Sequence, residues 1–155
     1  MREELKKIGN KERHRYSGTF AKYGYKYADR QRNHAKPTMI LKNIKLIDSD
    51  NKEILVADHL WFNLTSGFKK LGILKVGEKV FFNGRVTNYH KGYYLDGISI
   101  DYKLERPTKI ELDESLNHLS ERKYFPNEDW KTCNVIYDMY SEDYIKRDIP
   151  KPYLG

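Results

Sequence analysis

The chain has 155 residues, a formal net charge of +7, 33% charged and 39% hydrophobic residues, and 13 Tyr, 6 Phe and 2 Trp. That length suits one domain with appendages rather than two well-sized domains, and the supply of large aromatic bodies excludes wholesale disorder. No apolar run approaches the roughly 20 residues of a membrane span, the N-terminus lacks the apolar core of a signal peptide, and the lone Cys133 excludes an internal disulfide or a zinc knuckle, so a soluble, cytoplasmic protein without a membrane partner is expected.

The distribution of charge says more than its total. Residues 1–36 carry 11 Lys/Arg against 4 Asp/Glu, residues 37–112 carry 12 against 9, and residues 113–155 carry 6 against 9. A basic arm beside a near-neutral body is what a polyanion binder needs, because neutralising phosphates releases condensed counterions. The same distribution also serves solubility alone.

In chain order, residues 1–15 mix Leu5 and Ile8 with many charges and are interrupted by Gly9-Asn10, which reads as a basic arm or a short helix. Residues 16–27 are aromatic and glycine-containing, and form the first strand, strongly curved. A regular pleat places Tyr23, Tyr25 and Tyr27 on one face, beside Lys22 and Lys26, either as a platform for stacking bases or as rings packed into the core. Residues 28–36, with Arg30, Arg32, His34 and Lys36, lack hydrophobic periodicity and read as a basic loop placed to clamp a phosphate backbone.

Residues 38–48 and 53–62 flank Ser49-Asp50-Asn51-Lys52, the pattern of a β-hairpin. In its second strand His59 and Trp61 alternate with Leu60 and Phe62, and Trp61 is assigned outward. Residues 65–72 offer an N-cap, a helical turn and a terminating glycine. A tight turn at Val76-Gly77 then opens a fourth strand in which Phe81, Arg85 and Tyr89 face away from the core, with Arg85 either free for a ligand or paired with Asp58 or Asp101.

The stretch Tyr89-His90-Lys91-Gly92-Tyr93-Tyr94 reverses the chain, its rings either projecting from the sheet or folding back over it. Residues 93–104 form a fifth strand with Ile98, Ile100, Tyr102 and Leu104 inward, and Pro107 ends the strand region. Beyond it, Leu112, Leu116 and Leu119 fall at helical spacing, as do Val135, Ile136, Met139 and Tyr140 in a second helical segment. Residues 148–155, with Pro150 and Pro152, read as an extended tail, mobile or laid along a partner.

Leu74-Lys75-Val76-Gly77-Glu78-Lys79-Val80-Phe81-Phe82-Asn83-Gly84-Arg85-Val86 is similar to the Leu-x-x-Gly-Asp-x-Val-x-Val-x-Gly-x-Val pattern that enters strand four of OB barrels. With the order of strand, loop, hairpin, short helix and two further strands, residues 16–106 resemble an OB-fold, the oligonucleotide- and oligosaccharide-binding barrel, and the barrel domain is expected over residues 16–112. The resemblance implies a mainly β protein: a five-stranded OB-like barrel, a short helix between strands three and four, and a helical extension over residues 113–155. It also implies a ligand surface on strands two and three, bounded by Arg30 to Lys36, by His59 and Trp61, and by the Asn88 to Tyr94 turn. In its richness in Lys, Asn, Ile and Tyr the chain is also similar to small phage and plasmid proteins of AT-rich bacteria.

The five histidines, His14, His34, His59, His90 and His118, show no metal-ligand spacing, and phosphate loops, dinucleotide glycine fingerprints and nucleophile elbows are absent. Asp58-His59 are strand neighbours that point to opposite faces. The expectation is therefore a non-catalytic protein with no cofactor and no metal, which binds nucleic acid, preferably single-stranded, by stacking and by phosphate contacts. The candidate contacts are Tyr23, Tyr25, Lys26, Tyr27, Arg30, Arg32, Lys36, His59, Trp61, Phe81, Arg85, Tyr89, His90, Lys91, Tyr93 and Tyr94. The alternative is a protein-binding module, such as a phage-encoded inhibitor of a host nucleic-acid enzyme, docking through the aromatic hairpin or the C-terminal tail.

Overall fold

The computed structural model describes residues 3–27, 34–91, 99–113 and 122–153. Its centre is one antiparallel sheet of five strands, β1 (Arg13–Tyr27), β2 (Ala35–Ile47), β3 (Glu53–Asn63), β4 (Lys79–Lys91) and β5 (Ser99–Leu112), in the order β3-β2-β1-β4-β5. Short helices accompany it: α1 (Glu3–Ile8), α2 (Ser66–Lys69) between β3 and β4, and α3 (Asp129–Met139) followed by α4 (Ser141–Lys146).

The sheet is coiled around its aromatic side chains. Phe62 of β3 and Phe82 of β4 meet edge to face at 5.3 Å, although β2 and β1 lie between their strands. A flat sheet would hold those two strands about 14 Å apart, three spacings of about 4.8 Å. Phe68 of α2 closes the group at 5.7 Å from Phe62, and Tyr16 stacks on Phe82 at 5.9 Å. Leu5 of α1 and Ile136 of α3 are fully buried against the same core. Each such side chain contributes about 1.5–3 kcal/mol through the area it removes from water.

Two register shifts between β1 and β2, one at Ser17/Thr19 with the extra residue in β2 and one at Phe20/Lys22 with the extra residue in β1, explain how the long paired strands follow this curvature. At the first, a Cβ on Gly18 would lie 3.0 Å from the Leu41 side chain, so β2 crosses where only glycine leaves room. The second reverses the pleat. Tyr16 and Phe20 are inward on even positions and Tyr23 is inward on an odd one, 4.5 Å from Phe20.

The hairpin of β2 and β3 turns as its sequence dictates. Asp48 Oδ1 accepts the backbone N–H groups of Asp50 and Lys52 at 2.9 Å, and Asn51 takes φ +62°. At the entry to β4, Gly77 adopts φ +95° and donates its N–H to the Phe20 carbonyl, which ties the turn back to β1.

β5 corrects two expectations. It runs through Pro107 to Leu112, because an edge strand has no outer ladder for a missing N–H to break, and the chain absorbs the proline with left-handed residues at Arg106 and Lys109 and two register shifts against β4. Near the hairpin end the faces also differ from simple alternation: Ile100 is 49% exposed and Asp101 is buried. The Asp101 carboxylate accepts the Tyr102 N–H at 2.9 Å, which makes its burial tolerable.

α3 packs on β2 and β1. Tyr140 accepts the Tyr23 N–H at 3.2 Å, Tyr144 packs on Tyr25 at 5.4 Å, and Cys133 is so deeply buried that its thiol pKa is pushed up to about 12. Leu116 and Leu119 lie outside the described residues, and Leu112 is the last residue of β5 rather than part of a helix. The tail lies along its own chain, with Tyr153 accepting the Ala35 N–H at 2.8 Å and Ile149 accepting from the Tyr137 hydroxyl at 2.8 Å.

Candidate functional site

Trp61 is the anchor of the outer surface. It stands on β3 opposite Ile40 and is 52% exposed. Its ring reaches across β2 to Gly24 of β1, where a Cβ would meet it at 3.5 Å.

Two clefts meet at this ring, and both are lined by Tyr25. The first, of about 680 Å³, runs between the two edge strands of the sheet and presents Lys26, Tyr89, Lys103 and Arg106, with Glu105 as its carboxylate. Lys103 lies 5.6 Å over the Tyr89 ring. The second, of about 410 Å³, is closed by Tyr27 and by Tyr144 and Arg147 at the C-terminal helices. Its cations Lys22 and Arg147 both face Asp143, at 3.9 and 3.0 Å. The cationic excess therefore lies in the first cleft.

Burial raises the pKa of Tyr25 and Tyr144, so both remain neutral phenols and add no negative charge to the clefts. Lys26 and Lys36 are register partners across β1 and β2 and are both exposed, a like-charge pair that disfavours the sheet when nothing anionic lies between them.

Several sequence candidates lie elsewhere. Tyr23 is corrected to the core: it is 1% exposed, packs edge-on to Phe125 at 4.8 Å and accepts the Leu74 N–H at 2.9 Å. The pleat reversal at Phe20/Lys22 removes it from the outer row. His59 is exposed but lines a separate cleft with Glu3, Glu4 and Asp58, whose charge repels phosphate. Phe81 is half-buried on another part of the sheet, and Arg85 is exposed opposite Arg13 and Glu105, with no pairing to Asp58 or Asp101. Lys36 is exposed in a cleft beside Asn63. Arg30, Arg32, Tyr93 and Tyr94 lie outside the described residues, as do the side chains of His90 and Lys91 at the end of β4.

Lys103 and Arg106 were not among the sequence candidates. Lys103 carried a signal, since it falls on the wet face of the fifth strand diagonal to Tyr89, but Arg106 was hidden by reading Pro107 as a strand end. Lys22, Tyr144 and Arg147 join the second cleft only through tertiary packing of α4.

Among the described residues, no three His, Cys, Asp or Glu side chains gather as a metal site, and no helix is long and apolar enough to cross a membrane. Fold and site together define a mainly β protein whose outer surface carries an aromatic and cationic cleft. No family model, no curated protein and no solved structure matches the chain.

Proposed function

We propose that the protein is a non-catalytic binder of single-stranded nucleic acid, acting from the outer face of an OB-like barrel. The strand order β3-β2-β1-β4-β5, with a short helix between β3 and β4, supports the barrel reading, because it leaves β3 and β5 as the two edges that such a barrel brings together. The observation that carries the function is Trp61, half-exposed where two clefts meet, with tyrosine rings and unneutralised cations around it. Exposed rings stack bases, and neighbouring cations follow the phosphates.

Double-stranded nucleic acid fits the same surface poorly, since its bases are stacked on one another and no face is open to Trp61. Binding should be tolerant of sequence, because every base offers a π-face. The test is titration of a fluorescein-labelled oligothymidylate and an oligouridylate into the protein at about 50 and about 200 mM salt, with a duplex as comparator. Affinity should fall at least tenfold across that range, as expected when several phosphates are neutralised. Equal affinity at both salt concentrations, or preference for the duplex, would sink the proposal.

A further inference from the structure

A third cleft, of about 700 Å³, lies between the end of β3, α2 and the segment that precedes α3. It shares Asn63 and Thr65 with the larger Trp61 cleft, so the two adjoin at these residues. Its lining includes Lys36, Lys69, Lys70 and Tyr124, with Asp129 as its carboxylate.

The charges are not equivalent. Lys69 is held by Asp129 and by the Asn127 carbonyl, both at 3.1 Å, and forms a wall. Lys36 and Lys70 are exposed, and among the described residues neither has an ion-pair partner. Asp129 is thus neutralised by Lys69 while two cations remain for a ligand.

Tyr124 is 63% exposed, yet its backbone is well anchored. Arg122 is ion-paired with Glu78 and donates to the Ile73 carbonyl at 3.2 Å, the Lys123 carbonyl accepts the Ile73 N–H at 2.8 Å, and Phe125 is buried against Tyr23. Both neighbours of the ring are fixed. A ring presented to water from a fixed backbone needs little ordering on binding.

From this arrangement we infer that the third cleft is a second subsite on the same strand of nucleic acid, Tyr124 stacking a base and Lys36 and Lys70 holding phosphates beyond those near Trp61. The inference rests on the single-strand reading above, and adds that the footprint extends past Asn63 and Thr65.

The test compares oligothymidylates of about four and about twelve nucleotides, within the range of site sizes for one such barrel. Full-length wild type, Tyr124→Ala, Lys70→Gln and Trp61→Ala are titrated by fluorescence anisotropy, with circular dichroism confirming that each folds. Tyr124→Ala should weaken the longer strand about tenfold and leave the shorter within twofold, the scale of one lost base stack. Lys70→Gln should make the salt slope for the longer strand shallower by about one phosphate contact. Trp61→Ala should weaken both lengths. If Tyr124→Ala and Lys70→Gln change neither length, or change both equally, the second subsite is refuted while the Trp61 surface stands. Failure of wild type to bind either strand removes both.

Discussion

Two surfaces of this sheet have nearly the same ingredients and opposite electrostatics. Phe81 on β4 lies beneath two cations, Arg15 at 6.0 Å and Lys79 at 5.4 Å from the ring centre. Arg15 bonds Asn83 Oδ1 at 3.1 Å and the Lys109 carbonyl at 2.6 Å and pairs with Glu111 at 3.3 Å, while Lys79 pairs with Glu53, which also takes the Ser17 hydroxyl at 3.1 Å. Every charge there is answered inside the protein. Around Trp61, Lys26 and Arg106 make no ion pair among the described residues, and one carboxylate, Glu105, lines the larger cleft. An aromatic ring with cations is therefore a closed structural joint at Phe81, where carboxylates complete it, and is left open at Trp61, where binding is proposed.

The sharpest way to break that distinction is to remove each ring. Trp61→Ala should weaken oligonucleotide binding by about 5- to 150-fold, corresponding to about 1–3 kcal/mol of lost stacking, whatever stability the buried part of its ring contributes. Phe81→Ala should differ in affinity: it should lose about 1–2 kcal/mol of stability for a half-buried ring, a fall in Tm of about 2–8 °C, and hold affinity within twofold of wild type. Anisotropy and thermal melts on the two variants give four numbers. If Phe81→Ala costs affinity and Trp61→Ala does not, the assignment of the two surfaces is inverted.

The sequence made the strands legible because their periodicity and turn residues agree, as in the hairpin around Asp48 and Asn51 and the glycine turn before β4. Trp61 was legible for the same reason: Leu60 and Phe62 flank it and are buried, so alternation placed it outward. Tyr23 was misplaced because a bulge adds a residue without any compositional mark, and parity beyond it reverses. Arg106 was missed because proline usually stops a strand, and only the position of β5 at the sheet edge excuses it here. Tyr144, Arg147 and Tyr124 line the clefts by tertiary packing alone, which no local pattern encodes.

The smallest effect expected is a pH dependence that separates the answered charges from the open ones. Hydrogen bonding to Arg122 holds the Glu78 carboxyl below its usual range, and the bond to Lys79 does the same for Glu53. A carboxylate with a depressed folded pKa is protonated first in the unfolded chain, so its stabilisation is present above the ordinary value near 4.5 and is lost as pH falls through the folded value. Glu78→Gln should therefore remove about 1 kcal/mol at neutral pH and progressively less as pH falls below about 4.5 and through the depressed folded value, so urea melts of variant and wild type should approach one another toward the acid end. If Glu78→Gln costs no stability at neutral pH, the Glu78–Arg122 pair does not stabilise the fold as an ion pair. The anchoring of Tyr124 would then rest on Phe125 and the backbone bonds to Ile73 alone.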